Sequence, residues 1–155
     1  MYAVSYDEAI RRLYDRLGDH AKMVLSTSLH DEVGARMMSF IIRNGIFYFQ
    51  TDRRMRKYVH IAGNPRVALC MENIQIEGIC KEFGHPSEDD AFCSRYKHHF
   101  PNSYEKYTML ENERLFAIAP SFAQMWIYEE GTPFVERIDF ARQIYIKEEY
   151  IGELA

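Results

Sequence analysis

The chain has 155 residues and only three cysteines, Cys70, Cys80 and Cys93, an odd number without metal-type spacing. A disulfide framework and a zinc cluster are thereby set aside, and free thiols in a reducing cytoplasm are the expectation. No apolar run is long enough to cross a membrane. The amphipathic, charged N-terminus, MYAVSYDEAIRRLYDRL, lacks the apolar stretch of a secretory signal. Positive charge is short as well: 19 Lys and Arg against 23 Asp and Glu leave a formal charge of -4. That excludes a general nucleic-acid binder, whose phosphate-backbone affinity needs a broad basic surface. There is no internal repeat, linker or low-complexity block. No Ser-His-Asp or Cys-His triad can be defended from spacing, and no catalytic residue stands out.

What remains is a composition of 47% hydrophobic and 27% charged residues, which suits one globular domain with a real core. Aromatics reach 14%, with 11 Tyr and 10 Phe, as in a β-rich core or a flat ligand site. The opening helix starts at a capping box, Ser5 to Glu8, carries the stripe Ala9, Ile10, Leu13, Tyr14 and Leu17, and ends at Gly18. Strands follow at Lys22–Leu29, Ala35–Arg43 and Ile46–Thr51, joined by His30–Gly34 and Asn44-Gly45. Arg66–Met71 is nearly all apolar and reads as a strand buried on both faces. Glu72-Asn73 turns the chain into Ile74–Phe83, where Gly78 suggests a bulge. Ser87 is positioned to cap a helix over Glu88–His99, and Asn102–Leu110 reads as a second. Strands resume at Arg114–Ala119, bend at Pro120 and continue over Phe122–Tyr128. Phe134–Phe140 and Gln143–Ile146 are further short arms. The sum is a mainly β single domain over residues 1–155, an antiparallel barrel with flanking helices and a helical insertion at about 87–110.

One stretch breaks a local rule. In Ile46–Pro65 a strand passes into a helix that Thr51 or Asp52 can cap, with Met55, Tyr58, Val59 and Ala62 at helical spacing. Arg53, Arg54, Arg56 and Lys57 crowd its first turn. The helix dipole already places positive charge there, so each cation is misplaced by roughly 0.3–1 kcal/mol. Two readings stand: a solvated basic face, or a site for an anion that neutralises the cluster. In an acidic chain the second favours one small anionic ligand over a polymer.

Other features have plainer readings. His98-His99 near Cys93 invites a metal, but neighbouring helix residues point about 100° apart. Surface or dimer-contact residues are the simpler account, and no metal is expected. His60 reads as a solvated or cap-like side chain. Phe92, Tyr96 and Phe100 form a core stripe or a wall over a flat ligand. Trp126 either fills the core or stacks on a cofactor.

Three pieces of Ala35–Gly78, less than a third of the chain, resemble the FMN-binding split-barrel family related to pyridoxamine 5'-phosphate oxidase. They are Arg36-Met37-Met38-Ser39, the block Gly45–Leu69 with its Arg-Lys and Asn-Pro-Arg-Val-Ala-Leu, and Ile74-Gln75-Ile76-Glu77-Gly78, in matching order and spacing. The resemblance implies a split β-barrel homodimer with FMN at the subunit interface. Arg36 and Lys57 would hold the phosphate, with Arg56 beside them and Thr51 adding a contact. Backbone of Met37, Met38, Ser39, Phe49 and Gln50 would line the ring and ribityl chain. Gln75 would hydrogen-bond the flavin, and Trp126 matches a later family position. On this carry-over Arg53 and Arg54 fall to the rim. The implied activity is a flavin-dependent oxidoreductase acting on a small molecule, with NADH or NADPH as donor. The alternative is a non-catalytic flavin or cofactor carrier or sensor, and a deazaflavin or haem could replace FMN. An oligonucleotide-binding barrel is a third reading, opposed by the acidic charge. The chain departs from the family at Ile41, where a Lys is frequent, and at Met55, where a small hydroxyl residue stands. It also has Glu136-Arg137-Ile138-Asp139 in place of Arg-x-His-x-Arg, so vitamin B6 phosphate is not the implied substrate.

Overall fold

The computed structural model describes residues 4–152. Helix α1 (Tyr6–Leu17) is capped by Ser5, whose hydroxyl accepts from the Glu8 amide at 3.1 Å. The other half of the capping box does not form, because the Glu8 carboxylate pairs with Arg11 and Arg12 one turn on. Leu13 and Leu17 of α1 join the core cluster of the barrel, where a fully buried leucine contributes roughly 1.5–3 kcal/mol.

Eight antiparallel strands follow: β1 (His20–Leu29), β2 (Glu32–Arg43), β3 (Ile46–Asp52), β4 (Arg66–Met71), β5 (Ile74–Glu82), β6 (Glu113–Glu129), β7 (Thr132–Asp139) and β8 (Ile144–Glu149). Their order is β3-β2-β1-β4-β5-β6-β7-β8, and a further pairing of β3 with β6 closes six of them into a barrel. The strands β7 and β8 extend the sheet beyond it. Asn44 and Gly45 both have positive φ, as a two-residue turn demands, and so do His30 and Asp31. The first loop is therefore shorter than expected, and β2 begins at Glu32.

Two further expectations are corrected and one holds. Strand β4 buries only Val67 and Leu69, while Arg66 and Cys70 on its other face are exposed in a single chain. Arg114–Ala119 and Phe122–Tyr128 are one long strand, β6. Pro120 sits opposite Gly78 where the register shifts, which spares the ladder its missing N–H. The bulge read from Gly78 is present: a Cβ there would lie 2.7 Å from the Ala119 carbonyl oxygen and from Ile118 Cγ2.

Between β5 and β6 the chain is helical. Pro86–Glu88 is a 3-10 turn, so Ser87 does not cap the next helix. Asp89 does, accepting from the Phe92 amide at 2.9 Å at the start of α3 (Asp90–His99). A carboxylate competes well for that position because it also complements the helix dipole. A short α4 (Pro101–Ser103) then runs into a π-helical turn over Tyr104–Thr108. Phe92 and Tyr96 bury against Ile41 and Leu115, a small second core that fastens this insertion to the barrel.

Candidate functional site

The helix that carries the basic cluster, α2 (Arg56–Gly63), begins without help. Its N-cap is Met55, which offers no side-chain acceptor, and its first turn has no acidic residue. The expected caps are used elsewhere. Thr51 remains buried in β3, and Asp52 Oδ1 accepts from the backbone and Nε of Arg54. That pairing holds the Asp52 carboxyl down to about 2. The apolar stripe is also corrected: Met55 and Val59 are exposed, and the buried face is Lys57, His60 and Ile61. This face meets β1, where the Thr27 hydroxyl lies 2.8 Å from His60 Nδ1.

Arg36 completes this corner. It donates through Nη1 to Thr27 Oγ1 at 2.8 Å and to the Leu25 carbonyl at 3.3 Å. Gly34 leaves room for it, since a Cβ there would lie 2.4 Å from Arg36 Nη2. The rest of the cluster points outward. Arg53 donates to Asn112, Arg54 to Asp52, and Arg56 pairs with Glu32 at 3.3 Å. Lys57 is different: it is 9% exposed and makes no hydrogen bond or ion pair among the described residues. Burial, and then the Arg36 guanidinium, pull its ammonium below the usual lysine value. Burial followed by Arg56 likewise lowers Arg36.

Lys57 opens into a cleft of about 450 Å³, within the size range of small-molecule sites. One wall is Met37, Met38 and Ser39 of β2 with Gln50 and Thr51 of β3. The helical insertion adds Tyr96, Ser103 and Tyr107, and the start of β6, next to β3, adds Glu113. Burial pushes the Tyr96 hydroxyl up to about 12, with Ser103 and Ser39 of the cleft lining pulling the other way. Gln50 is held by Thr108, whose hydroxyl donates to its Oε1 at 2.9 Å. Glu113 sits opposite Asp52 in the β3–β6 ladder and is 4% exposed. Burial, with Asp52 adding to it, pushes its carboxyl up to about 7, against the pull of Lys57.

The structure thus gathers Met37, Met38, Ser39, Gln50, Thr51 and Lys57 around one cleft, with Arg36 and Arg56 beside Lys57. It places the other named residues elsewhere in a single chain. The Phe49 ring turns into the core, where it is fully buried and stacks on Phe116 at 5.1 Å, so that only its backbone, next to Gln50, is left for the cleft. Gln75 lies in a cross-strand row Met37–Val24–Cys70–Gln75, three strands from the cleft, or roughly 14 Å at ordinary strand spacing. Trp126 packs beside Tyr150, with ring centroids 4.9 Å apart. The sequence reading missed Glu113, Tyr107 and Thr108, and took His60 for a solvated group. The helical positions of Lys57, His60 and Ile61, at i, i+3 and i+4, were the signal that all three face inward.

A second cluster, Asp19, His20 and His99, brings three ligand atoms within 4.8 Å of one another. The two imidazoles are stacked at 3.7 Å with planes 11° apart. A metal lies in the plane of each ring that binds it, and two parallel planes this far apart share no such point. The pair serves to join the start of β1 to the end of α3. Cys93 takes no part, its Sγ resting on the Pro86 carbonyl.

No family model matches the sequence, and no curated protein matches it. Solved structures do resemble it. A pyridoxamine 5'-phosphate oxidase-related, FMN-binding protein from Nostoc punctiforme superposes with TM-score 0.59 at 14% identity, over 94% of this chain and 96% of that one. PhzG from Burkholderia lata, solved with tetrahydrophenazine-1-carboxylic acid, gives TM-score 0.66 at 11% identity over 96% and 93%. HutZ, the haem storage protein of Vibrio cholerae, gives 0.56 at 12% over 73% and 89%. Likeness at these identities establishes the fold, and the fold is the split barrel of the pyridoxamine 5'-phosphate oxidase-related proteins.

Proposed function

We propose that the cleft binds FMN and that the protein is a flavin-dependent oxidoreductase acting on a small molecule. The observation that carries this reading is Lys57: a buried lysine without a partner among the described residues, beside Arg36, at the uncapped start of α2. A phosphate there supplies the missing counter-charge to both cations and accepts from the free helix amides. Arg56 adds a third cation once it leaves Glu32, a weak exposed pairing. Thr51 and Gln50 offer polar contacts below the phosphate, and Tyr96 and Tyr107 close the cleft from the insertion. When bound, FMN supplies a ring that accepts a hydride, from NADH or NADPH in this reading. The chain's own part is to hold the phosphate, position the ring and shield it from water.

The reading also takes the working unit to be a homodimer. Met37 is 60% exposed beside the cleft and Val33 is 70% exposed on the same strand. In this reading Gln75, three strands from the cleft, and Trp126 meet the cofactor from a second copy of the chain. No helix of the described residues is long and apolar enough to cross a membrane.

The test is titration of purified protein with FMN, followed by fluorescence, for wild type, Lys57→Ala and the Lys57→Ala/Arg36→Ala pair. Micromolar or tighter binding by wild type, weakened at least tenfold in each variant, is expected. Unchanged affinity in the double variant sinks the phosphate site. A non-catalytic carrier or sensor is the second reading, because the same cleft can hold a cofactor without turning it over. Stopped-flow mixing with NADH or NADPH separates the two, since a carrier's bound flavin stays oxidised. The absorption spectrum of the pigment that copurifies distinguishes flavin from haem.

A further inference from the structure

We propose that an anion entering the cleft beside Lys57 binds together with a proton, which Glu113 takes from solvent and holds as a neutral carboxylic acid. This rests on the phosphate reading above and specifies what the carboxylate in the same cleft does. Glu113 is 4% exposed, lines the same cleft as Lys57, and its carboxylate makes no hydrogen bond or ion pair among the described residues. Among the described residues no side-chain oxygen is both fully occluded and unpaired, and Glu113 lines the cleft.

The charged and titratable groups that face it are few. Asp52 of β3 is its ladder partner, Lys57 comes from α2, Tyr96 from α3, and Tyr107 from the π-helical turn. Arg36 of β2 acts on Lys57, and Arg56 of α2 acts on Arg36. Tyr96 stays neutral at working pH, because burial pushes it up to about 12. Asp52 stays ionised, because the Arg54 side chain holds it. In the free protein Lys57 is the cation that acts on Glu113, and it acts on Asp52 as well, which Arg54 also pairs. A dianion that claims Lys57 leaves the Glu113 carboxylate between two negative neighbours in a desolvated site. Like charges at that range favour the neutral acid. As an acid, Glu113 changes from a repelling group into an O–H donor aimed into the cleft. Burial has already brought it to about 7, so the proton is available near neutrality.

The affinity of wild type for FMN is measured by calorimetry between pH 7 and 9, where the ligand's phosphate is already a dianion, its second pKa being about 6. Affinity is expected to fall with rising pH, approaching about tenfold per unit. Glu113→Gln should bind with nearly flat pH dependence over the same range. Wild-type binding heats should also differ between buffers of high and low ionisation enthalpy, reporting close to one proton taken up. Riboflavin, which lacks the phosphate, should show no such uptake. The buffer comparison uses wild type alone and survives a poorly folding variant. FMN binding with flat pH dependence and buffer-independent heats overturns the proposal and leaves the flavin reading standing. No FMN binding at any pH overturns both.

Discussion

Arg36 of β2 donates to the buried hydroxyl of Thr27 on β1 at 2.8 Å, and so the cation expected to meet a phosphate is braced from beneath before any ligand arrives. The Thr27 proton is then available to His60 Nδ1, 2.8 Å away on α2. One hydroxyl ties together β1, β2 and the helix that carries Lys57. Thr27→Val keeps the shape and removes that link. The loss is expected to be about 1–3 kcal/mol of stability, the range for leaving buried polar groups unpaired. FMN affinity should fall several-fold as well, and Thr27→Ser should restore both. Urea denaturation and flavin titration read the two effects. If Thr27→Val binds FMN as wild type does, the brace is irrelevant to the site.

Gly34 separates binding from folding. A methyl there meets Arg36 Nη2 at 2.4 Å, but it meets the end of a flexible side chain rather than backbone. Gly34→Ala should leave the urea midpoint within the range of about 1 kcal/mol that the lost glycine entropy allows. Arg36 has to swing off Thr27, so FMN affinity should fall by a factor of three or more, by rough analogy with a lost charge-assisted bond. A variant that loses stability and keeps affinity would show that Arg36 serves the fold instead.

Local patterns made the barrel legible. Asn44-Gly45 announced a hairpin, and Gly78 announced the irregularity where β5 and β6 change register. Half of the cleft was legible for the same reason, because Arg36–Ser39 and Gln50–Lys57 are short stretches read within one hairpin and one helix. The other half was not. Thr108 reaches Gln50 across 58 residues, and Glu113 meets Asp52 only because β6 closes the barrel against β3. Neither residue belongs to a pattern in its own segment. The reading of β4 failed from the opposite cause: an apolar run says nothing about how many faces a single chain covers, and one face of β4 stays open.

Gly78 tests the register itself. A Cβ at this position approaches backbone, the Ala119 carbonyl oxygen, at 2.7 Å, and a buried side chain, Ile118 Cγ2, at the same distance. Neither yields easily in a packed sheet. Gly78→Ala should cost about 1–3 kcal/mol, the range for overpacking, and should lower the denaturant midpoint without changing the slope. A neutral result would mean that the β5–β6 bulge is loose.

Glu113 also makes the ligand-free protein sensitive to pH, with a definite sign. Its carboxyl is raised from the ordinary 4.5 to about 7, burial being the main cause. The folded state therefore holds this proton more tightly than the unfolded state does. Its penalty on stability is absent below about 4.5, grows as pH rises through that interval, and is complete above about 7. The shift corresponds to about 3 kcal/mol at the alkaline end. Asp52 acts in the opposite sense and in a different window: held down to about 2, its stabilising effect is lost only as pH falls below its ordinary 3.8. The informative quantity is the difference between Glu113→Gln and wild type. That difference should be near zero at pH 4.5 and favour the variant increasingly up to pH 8, as read from urea denaturation without flavin. A difference that is flat across this range would mean that the Glu113 carboxyl is solvated in the free cleft, and that it carries no strain for a bound anion to exploit.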